Sequence, residues 1–67
     1  MDELRERILR GLRAAFGGKS VGFYEANSFA LTIAWRIVNV SYPEASFCEV
    51  YEAATQAVLV FCFGEGA

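Results

Sequence analysis

The residues that could carry chemistry in this 67-residue chain are few, and their spacing completes no catalytic motif. Gly17-Gly18-Lys19-Ser20 ends like a phosphate-binding P-loop. That motif needs a further glycine five positions before Gly18, where this chain has Arg13. A P-loop also leads from a strand into a helix, whereas this segment follows a helical pattern. We therefore expect the glycines to end a helix rather than to bind phosphate.

Acid–base and metal chemistry are equally short of suitable groups. The chain has no histidine and only two cysteines, so the usual four nitrogen or sulfur ligands of a zinc site cannot be assembled. Asp2 is the sole aspartate, and the glutamates are spread along the chain, which excludes an ordinary hydrolytic triad. The sequence predicts a protein that is not an enzyme, with no cofactor and no metal.

Cys48 and Cys62 each lie in an apolar stretch, where a free cysteine behaves as a small hydrophobic residue. The favoured interpretation is two buried, reduced thiols. The alternative is one disulfide that joins the middle of the chain to its end. The first residues are charged, unlike a signal peptide, and Arg36 interrupts the longest uncharged span, so no transmembrane helix is expected. We expect a cytoplasmic location, in a cell or in the host of a virus.

Charge is divided unevenly along the chain. Residues 1–19 contain five basic and three acidic side chains, whereas residues 20–67 contain one basic and five acidic. Arg5, Arg10 and Arg13 are candidates to bind an acidic protein surface or nucleic acid. The simpler interpretation is a solvated helix face with Glu–Arg pairs. A sequence pI of about 4.9 argues against nucleic acid, and the interspersed glutamates argue against a membrane surface.

An amphipathic helix is predicted over 2–16. Leu4, Ile8 and Leu12 recur at helical spacing, and acidic residues occupy the first turn, where the helix dipole favours them. Gly11 inside this pattern costs about 1 kcal/mol relative to alanine, so we expect a bend or a close neighbour there.

Two strands are predicted next, over 20–26 and 29–40, with a tight turn at Asn27-Ser28. In the second segment large apolar side chains alternate with small ones, as in a strand with two different faces. The β-branched content favours this interpretation, although a helical one with Leu31, Ala34, Trp35 and Val38 on one side is also open. The large alternating residues are Phe29, Leu31, Ile33, Trp35 and Ile37.

The last third of the chain predicts a second helix over 43–56 and a strand over 57–63, followed by a loose tail at 64–67. Two S-x-x-E sequences, at Ser41 and at Ser46, could form the capping box that opens the helix. The continuous apolar run 57–63 is typical of a strand covered on both faces. The expected fold is therefore one two-layer α+β domain of order α-β-β-α-β, with both helices packed on a three-stranded sheet.

Trp35 and Arg36 are candidate partner-binding residues, because tryptophan and arginine dominate binding hot spots and a lone charge in so apolar a segment needs a reason. Ten aromatic residues offer more apolar surface than so small a domain can bury, which predicts a dimer or a larger assembly. The leading hypothesis is a non-enzymatic, self-associating protein-interaction module that binds another protein, an inhibitor or adaptor of phage type. The alternatives are a nucleic-acid-binding protein that uses the arginine helix, and a small-ligand binder with a pocket between subunits.

Overall fold

Three α-helices make up the fold in the computed structural model, which describes residues 2–64. Helix α1 spans Asp2–Phe16, α2 spans Phe23–Ser41 and α3 spans Phe47–Phe63. Every pair of helices is in contact, and the bundle measures 33 × 22 × 17 Å. No strand forms within residues 2–64. The predicted α+β fold with a three-stranded sheet is therefore wrong, and the prediction of helix 2–16 is confirmed.

The core joins large side chains of α1 to small side chains of α2 and α3. Leu4, Ile8, Leu9 and Leu12 are all buried on α1. The buried residues of α2 are spaced by four, and three of them are alanines. Small residues at one helical spacing let helices approach closely, so the bulky α1 residues fill the space between α2 and α3. The buried positions of α2 and α3 are Ala26, Ala30, Ala34, Val38, Val50, Ala53, Ala54, Ala57 and Val58.

Helix α2 replaces the two strands predicted over 20–26 and 29–40. The alternation of large and small residues is real, but the large side chains divide between the two flanks of a helix whose alanine stripe faces the core. Phe29 lies against Phe16 of α1, with ring centroids 5.1 Å apart. Trp35 lies against Phe47 of α3, with centroids 5.8 Å apart. The two-residue period of large side chains fits a strand, and alanine at every fourth position fits a helix. Packing on two neighbouring helices selects the helix.

Helix α3 begins at the second of the two predicted capping boxes. The Glu49 backbone N–H donates to Ser46 Oγ at 3.2 Å, and the Ser46 backbone N–H donates to Glu49 Oε1 at 3.0 Å. The helix then continues through 57–63, so the strand predicted there is also wrong. The apolar residues of this run lie on all sides of the helix. Some are buried or packed against the core, and Leu59 and Phe63 remain exposed. Gly64 follows the helix with φ 82°, and the rest of the predicted tail, 65–67, lies outside the described residues.

Gly11 has the close neighbour that the sequence predicts. A Cβ atom added at Gly11 would lie 2.6 Å from Cδ1 of Ile33, which belongs to α2. The glycine therefore lets the flank of α2 approach the backbone of α1, and its helix-propensity cost is linked to packing.

Candidate protein-interaction face

Large hydrophobic side chains that remain exposed lie on α2 and α3, and none of those in the described part of the chain lies on α1. Tyr24 is 86% exposed, Phe63 64% and Phe47 62%. Exposure on this scale is unusual for aromatic residues in a small domain, because their transfer out of water is a main source of stability. The full set is Phe23, Tyr24, Val40, Phe47, Tyr51, Leu59 and Phe63.

Helical spacing places most of these side chains on one surface, which we call the aromatic face. Leu31 and Trp35 are one turn apart on α2, and Tyr24 is two turns before Leu31. Tyr51 is two turns before Leu59 on α3 and in ring contact with Phe47 at 5.2 Å. Since Trp35 also contacts Phe47, these side chains form one surface along the α2–α3 seam. The aromatic face consists of four exposed residues, Tyr24, Phe47, Tyr51 and Leu59, and of the half-buried Leu31 and Trp35.

A second aromatic group extends this surface at the far end of the seam. The Phe23 ring lies 5.9 Å from that of Tyr24 and 6.5 Å from that of Phe63. Phe23 opens α2 and Phe63 closes α3, so the contact joins the two ends of the antiparallel pair. Exposed aromatic side chains therefore lie at both ends of the α2–α3 hairpin, with Leu31 and Leu59 between them.

Charged side chains border the aromatic face rather than interrupting it. Arg36 follows Trp35 and Glu52 follows Tyr51, and both are exposed. Arg36 forms no salt bridge with any residue of the described range 2–64, where the ion pair found is Arg5–Glu6 at 3.6 Å. An apolar centre with charges at its rim is the usual composition of a protein–protein interface.

The five residues predicted to bind a partner do not form one site. Trp35 and Arg36 lie at the aromatic face, whereas the three arginines are on α1. Arg10 and Arg13 are exposed and one turn apart, so they share the outer side of α1. Arg5 is half-buried and paired with Glu6, which separates it from the other two. The structure thus separates a basic pair on α1 from an aromatic surface on α2 and α3.

Some residues of the aromatic face, and one arginine that lies beside an aromatic ring, were not singled out from the sequence. Phe47 and Tyr51 fit the apolar stripe expected for the second helix, but they are exposed, and the buried positions of α3 are taken by smaller alanine and valine side chains. The signal was the run Ala53, Ala54 and Ala57, which marks a narrow contact stripe that leaves bulky neighbours outside. Arg7 was also not singled out, and its guanidinium lies 5.8 Å from the centroid of the Tyr42 ring.

Both cysteines are free thiols on α3, which excludes the disulfide alternative within one chain. They are fourteen positions apart on one helix, a separation of about 21 Å at the helical rise, against a limit of about 7 Å between the Cα atoms of a disulfide. Cys62 is half-buried, but Cys48 is exposed, so the prediction of two buried thiols is wrong for Cys48.

An open cavity of about 360 Å³ lies beside the α2–α3 connection, away from the centre of the aromatic face. Its wall includes Tyr42, Pro43, Glu44 and Glu49.

The Ser46 backbone N–H, with the Ser46 hydroxyl, holds the pKa of Glu49 below its usual range, so this carboxylate is an anion engaged in capping. Throughout the described residues, buried side chains are apolar, and no three metal-binding side chains are grouped.

This arrangement places the protein in the class of small three-helix bundles, here with aromatic side chains exposed along the α2–α3 seam. Among residues 2–64, none of the helices combines the length and apolar character needed to cross a membrane. No protein family, curated protein or solved structure matches this chain.

Proposed function

We propose that this chain is a small non-enzymatic protein-interaction module that self-associates through the aromatic face. The exposed aromatic side chains of the α2–α3 pair carry the proposal. In the resulting assembly the outer side of α1, with Arg10 and Arg13, stays free to contact a further macromolecule. This is the profile of an adaptor or inhibitor that acts by occupying a surface.

The size of the exposed surface supports self-association. A whole aromatic side chain offers about 200 Å², so the exposed fractions of Phe23, Tyr24, Phe47, Tyr51 and Phe63 leave roughly 600 Å² in water. The largest apolar patch on a typical monomer is about 300–600 Å². A standard interface buries about 800 Å² on each partner. The five rings thus account for most of the area that a stable contact requires, before Leu59 and Trp35 are counted.

The chemistry of the surface favours a second copy over a charged partner. Helix α2 contains two charged residues and α3 contains two, and the aromatic face contains none of them. A charged protein surface or nucleic acid would lose hydration on this face without gaining an ion pair. A second aromatic face buries the same surface without that loss.

The test is sedimentation equilibrium from about 1 to 100 µM, for the natural chain and two glutamate variants. Tyr51→Glu places a charge in the aromatic face, and Ala14→Glu places the same charge on the exposed outer side of α1. We expect a mass above 7.4 kDa for the natural chain and for Ala14→Glu, and a dissociation constant at least about tenfold higher for Tyr51→Glu.

Circular dichroism checks that all three proteins are equally helical. A natural chain that remains at the monomer mass throughout this concentration range would contradict the proposal. Equal weakening by both glutamates would also contradict it, because the effect would then come from net charge rather than from the aromatic face.

A further inference from the structure

Arg36 and Glu52 lie at the same height on the α2–α3 hairpin. Ser41 ends α2 and Phe47 begins α3, and the connection between them returns the chain in the opposite direction. Arg36 is five residues before Ser41, and Glu52 is five residues after Phe47. At the α-helical rise, each is therefore about 7.5 Å from the connected ends.

These two residues also occupy opposite edges of the aromatic face. Arg36 is one residue beyond Trp35 and Glu52 one residue beyond Tyr51, so each is about 100° further round its own helix. Because α2 and α3 run antiparallel, the same sense of rotation moves Arg36 and Glu52 away from each other. Arg36 therefore lies on the outer edge of α2, and Glu52 on the outer edge of α3.

We propose that two copies pair by their aromatic faces about a two-fold axis parallel to the helices, so that Arg36 meets the partner's Glu52. This inference rests on the proposed function. An axis in that direction keeps every residue at its own height and places α2 of one copy against α3 of the other. The outer edge of α2 then meets the outer edge of the partner's α3. Both charges meet their opposite, twice in each dimer.

The other two-fold arrangement of the same faces fits less well. An axis perpendicular to the helices would pair α2 with α2, and Arg36 could then reach the partner's Glu25 with the axis near Leu31. Leu31 is level with Ala57 on α3, since each is ten residues from its connected end. Phe47 is ten residues from Ala57, whereas the helix continues only six residues beyond Ala57 to Phe63. Phe47 would project past the partner's helix and stay in water.

The parallel axis covers the aromatic side chains at both ends of the seam. Tyr24 and Phe63 at one end and Phe47 at the other remain within the length of the partner's helices, because heights are preserved. The four contacting helices then each run antiparallel to their neighbours, as in an up-and-down four-helix bundle. The two α1 helices lie on the outside of this assembly.

The test is a charge exchange measured by sedimentation equilibrium. Arg36→Glu places a carboxylate against the partner's Glu52 at two symmetry-related points, and we expect the dissociation constant to rise about tenfold. Glu52→Arg alone, with two arginines opposed, should weaken the dimer to a similar extent. Both positions are exposed, so helicity by circular dichroism should stay at the level of the natural chain.

The double variants decide the direction of the axis. Arg36→Glu with Glu52→Arg restores opposite charges across the parallel-axis interface, so we expect a dissociation constant within about threefold of the natural one. Arg36→Glu with Glu25→Arg has the same net charge and is the matched control. It should stay as weak as Arg36→Glu alone.

The outcomes separate the two proposals. A natural chain that stays monomeric would contradict the self-association on which the inference rests. The natural chain could dimerise while the affinity lost in Arg36→Glu is restored by adding Glu25→Arg and not by adding Glu52→Arg. That result would keep the proposed function but overturn the parallel axis. If the natural chain dimerises and none of the charge changes alters its dissociation constant, the pairing of Arg36 with the partner's Glu52 is overturned.

Discussion

Replacing Gly11 with alanine tests the close contact between α1 and α2 at this position. Alanine in place of glycine stabilises a helix interior by about 1 kcal/mol. The new Cβ would lie 2.6 Å from Ile33 Cδ1, so that methyl group must rotate away, at a cost of about 0.5–1.5 kcal/mol. The two effects are of similar size. We therefore expect Gly11→Ala to change the free energy of unfolding by less than about 0.5 kcal/mol.

Removing the obstructing methyl group should reveal the gain in helix propensity. In Ile33→Val the Cδ1 atom is absent, and the next Ile33 atom, Cγ1, is 4.0 Å from the Cβ position, an ordinary contact. Ile33→Val alone should cost about 0.5–1 kcal/mol, since the side chain is half-buried. In that background Gly11→Ala should stabilise by about 1 kcal/mol. The expected coupling between the two substitutions is about 1 kcal/mol.

The assay is urea unfolding followed by circular dichroism, with all variants at one protein concentration because the proposed self-association would shift apparent stability. Val40→Ala is the matched control: Val40 is 84% exposed on α2, and its effect should add to that of Gly11→Ala. A coupling below about 0.3 kcal/mol between positions 11 and 33 would refute the reasoning. So would a full 1 kcal/mol gain from Gly11→Ala alone.

Two further predictions concern the α2–α3 connection and the start of α3. Because its pKa is lowered, Glu49 stabilises the fold at pH values above the ordinary glutamate pKa, and this contribution is lost as the pH falls through the lowered value. When the urea midpoint is plotted against pH, Glu49→Gln should therefore show a smaller loss of stability on the acid side than the natural chain. Tyr42 has a buried hydroxyl without a hydrogen-bond partner in residues 2–64, so Tyr42→Phe should leave thermal stability unchanged or raise it by up to about 1 kcal/mol, and a loss of that size would contradict this.

Local patterns predicted α1 and two alternative capping boxes for the second helix. The structure uses the box at Ser46, so α3 begins at Phe47 rather than at residue 43. Helix 2–16 combines helical spacing of Leu4, Ile8 and Leu12 with a glycine pair after its last turn, and each of these signals acts within a few residues. The Ser46–Glu49 capping box is equally local, because both of its hydrogen bonds join residues three apart. These features needed no knowledge of the neighbouring helices.

The segment that became α2 could not be predicted in this way. Its bulky residues alternate as in a strand, while Ala26, Ala30 and Ala34 repeat as in a helix. Local preference leaves the two structures close in free energy, since β-branched and aromatic residues favour strands only when a sheet is present to receive them. The large α1 side chains against the alanine stripe decide the helix, and that contact is long-range.

The sequence by itself determined the amphipathic first helix, two alternative capping boxes for a second helix, at Ser41 and at Ser46, and an excess of aromatic surface over what so small a domain can bury. The tertiary structure alone decided that residues 23–41 and 57–63 are helical, because alanine stripes become stabilising only when bulky side chains from another helix fill the space they leave. It also decided where the aromatic excess lies. Small alanine and valine side chains take the buried positions of α2 and α3, so Phe47 and Tyr51 remain exposed beside the half-buried Trp35 along their seam.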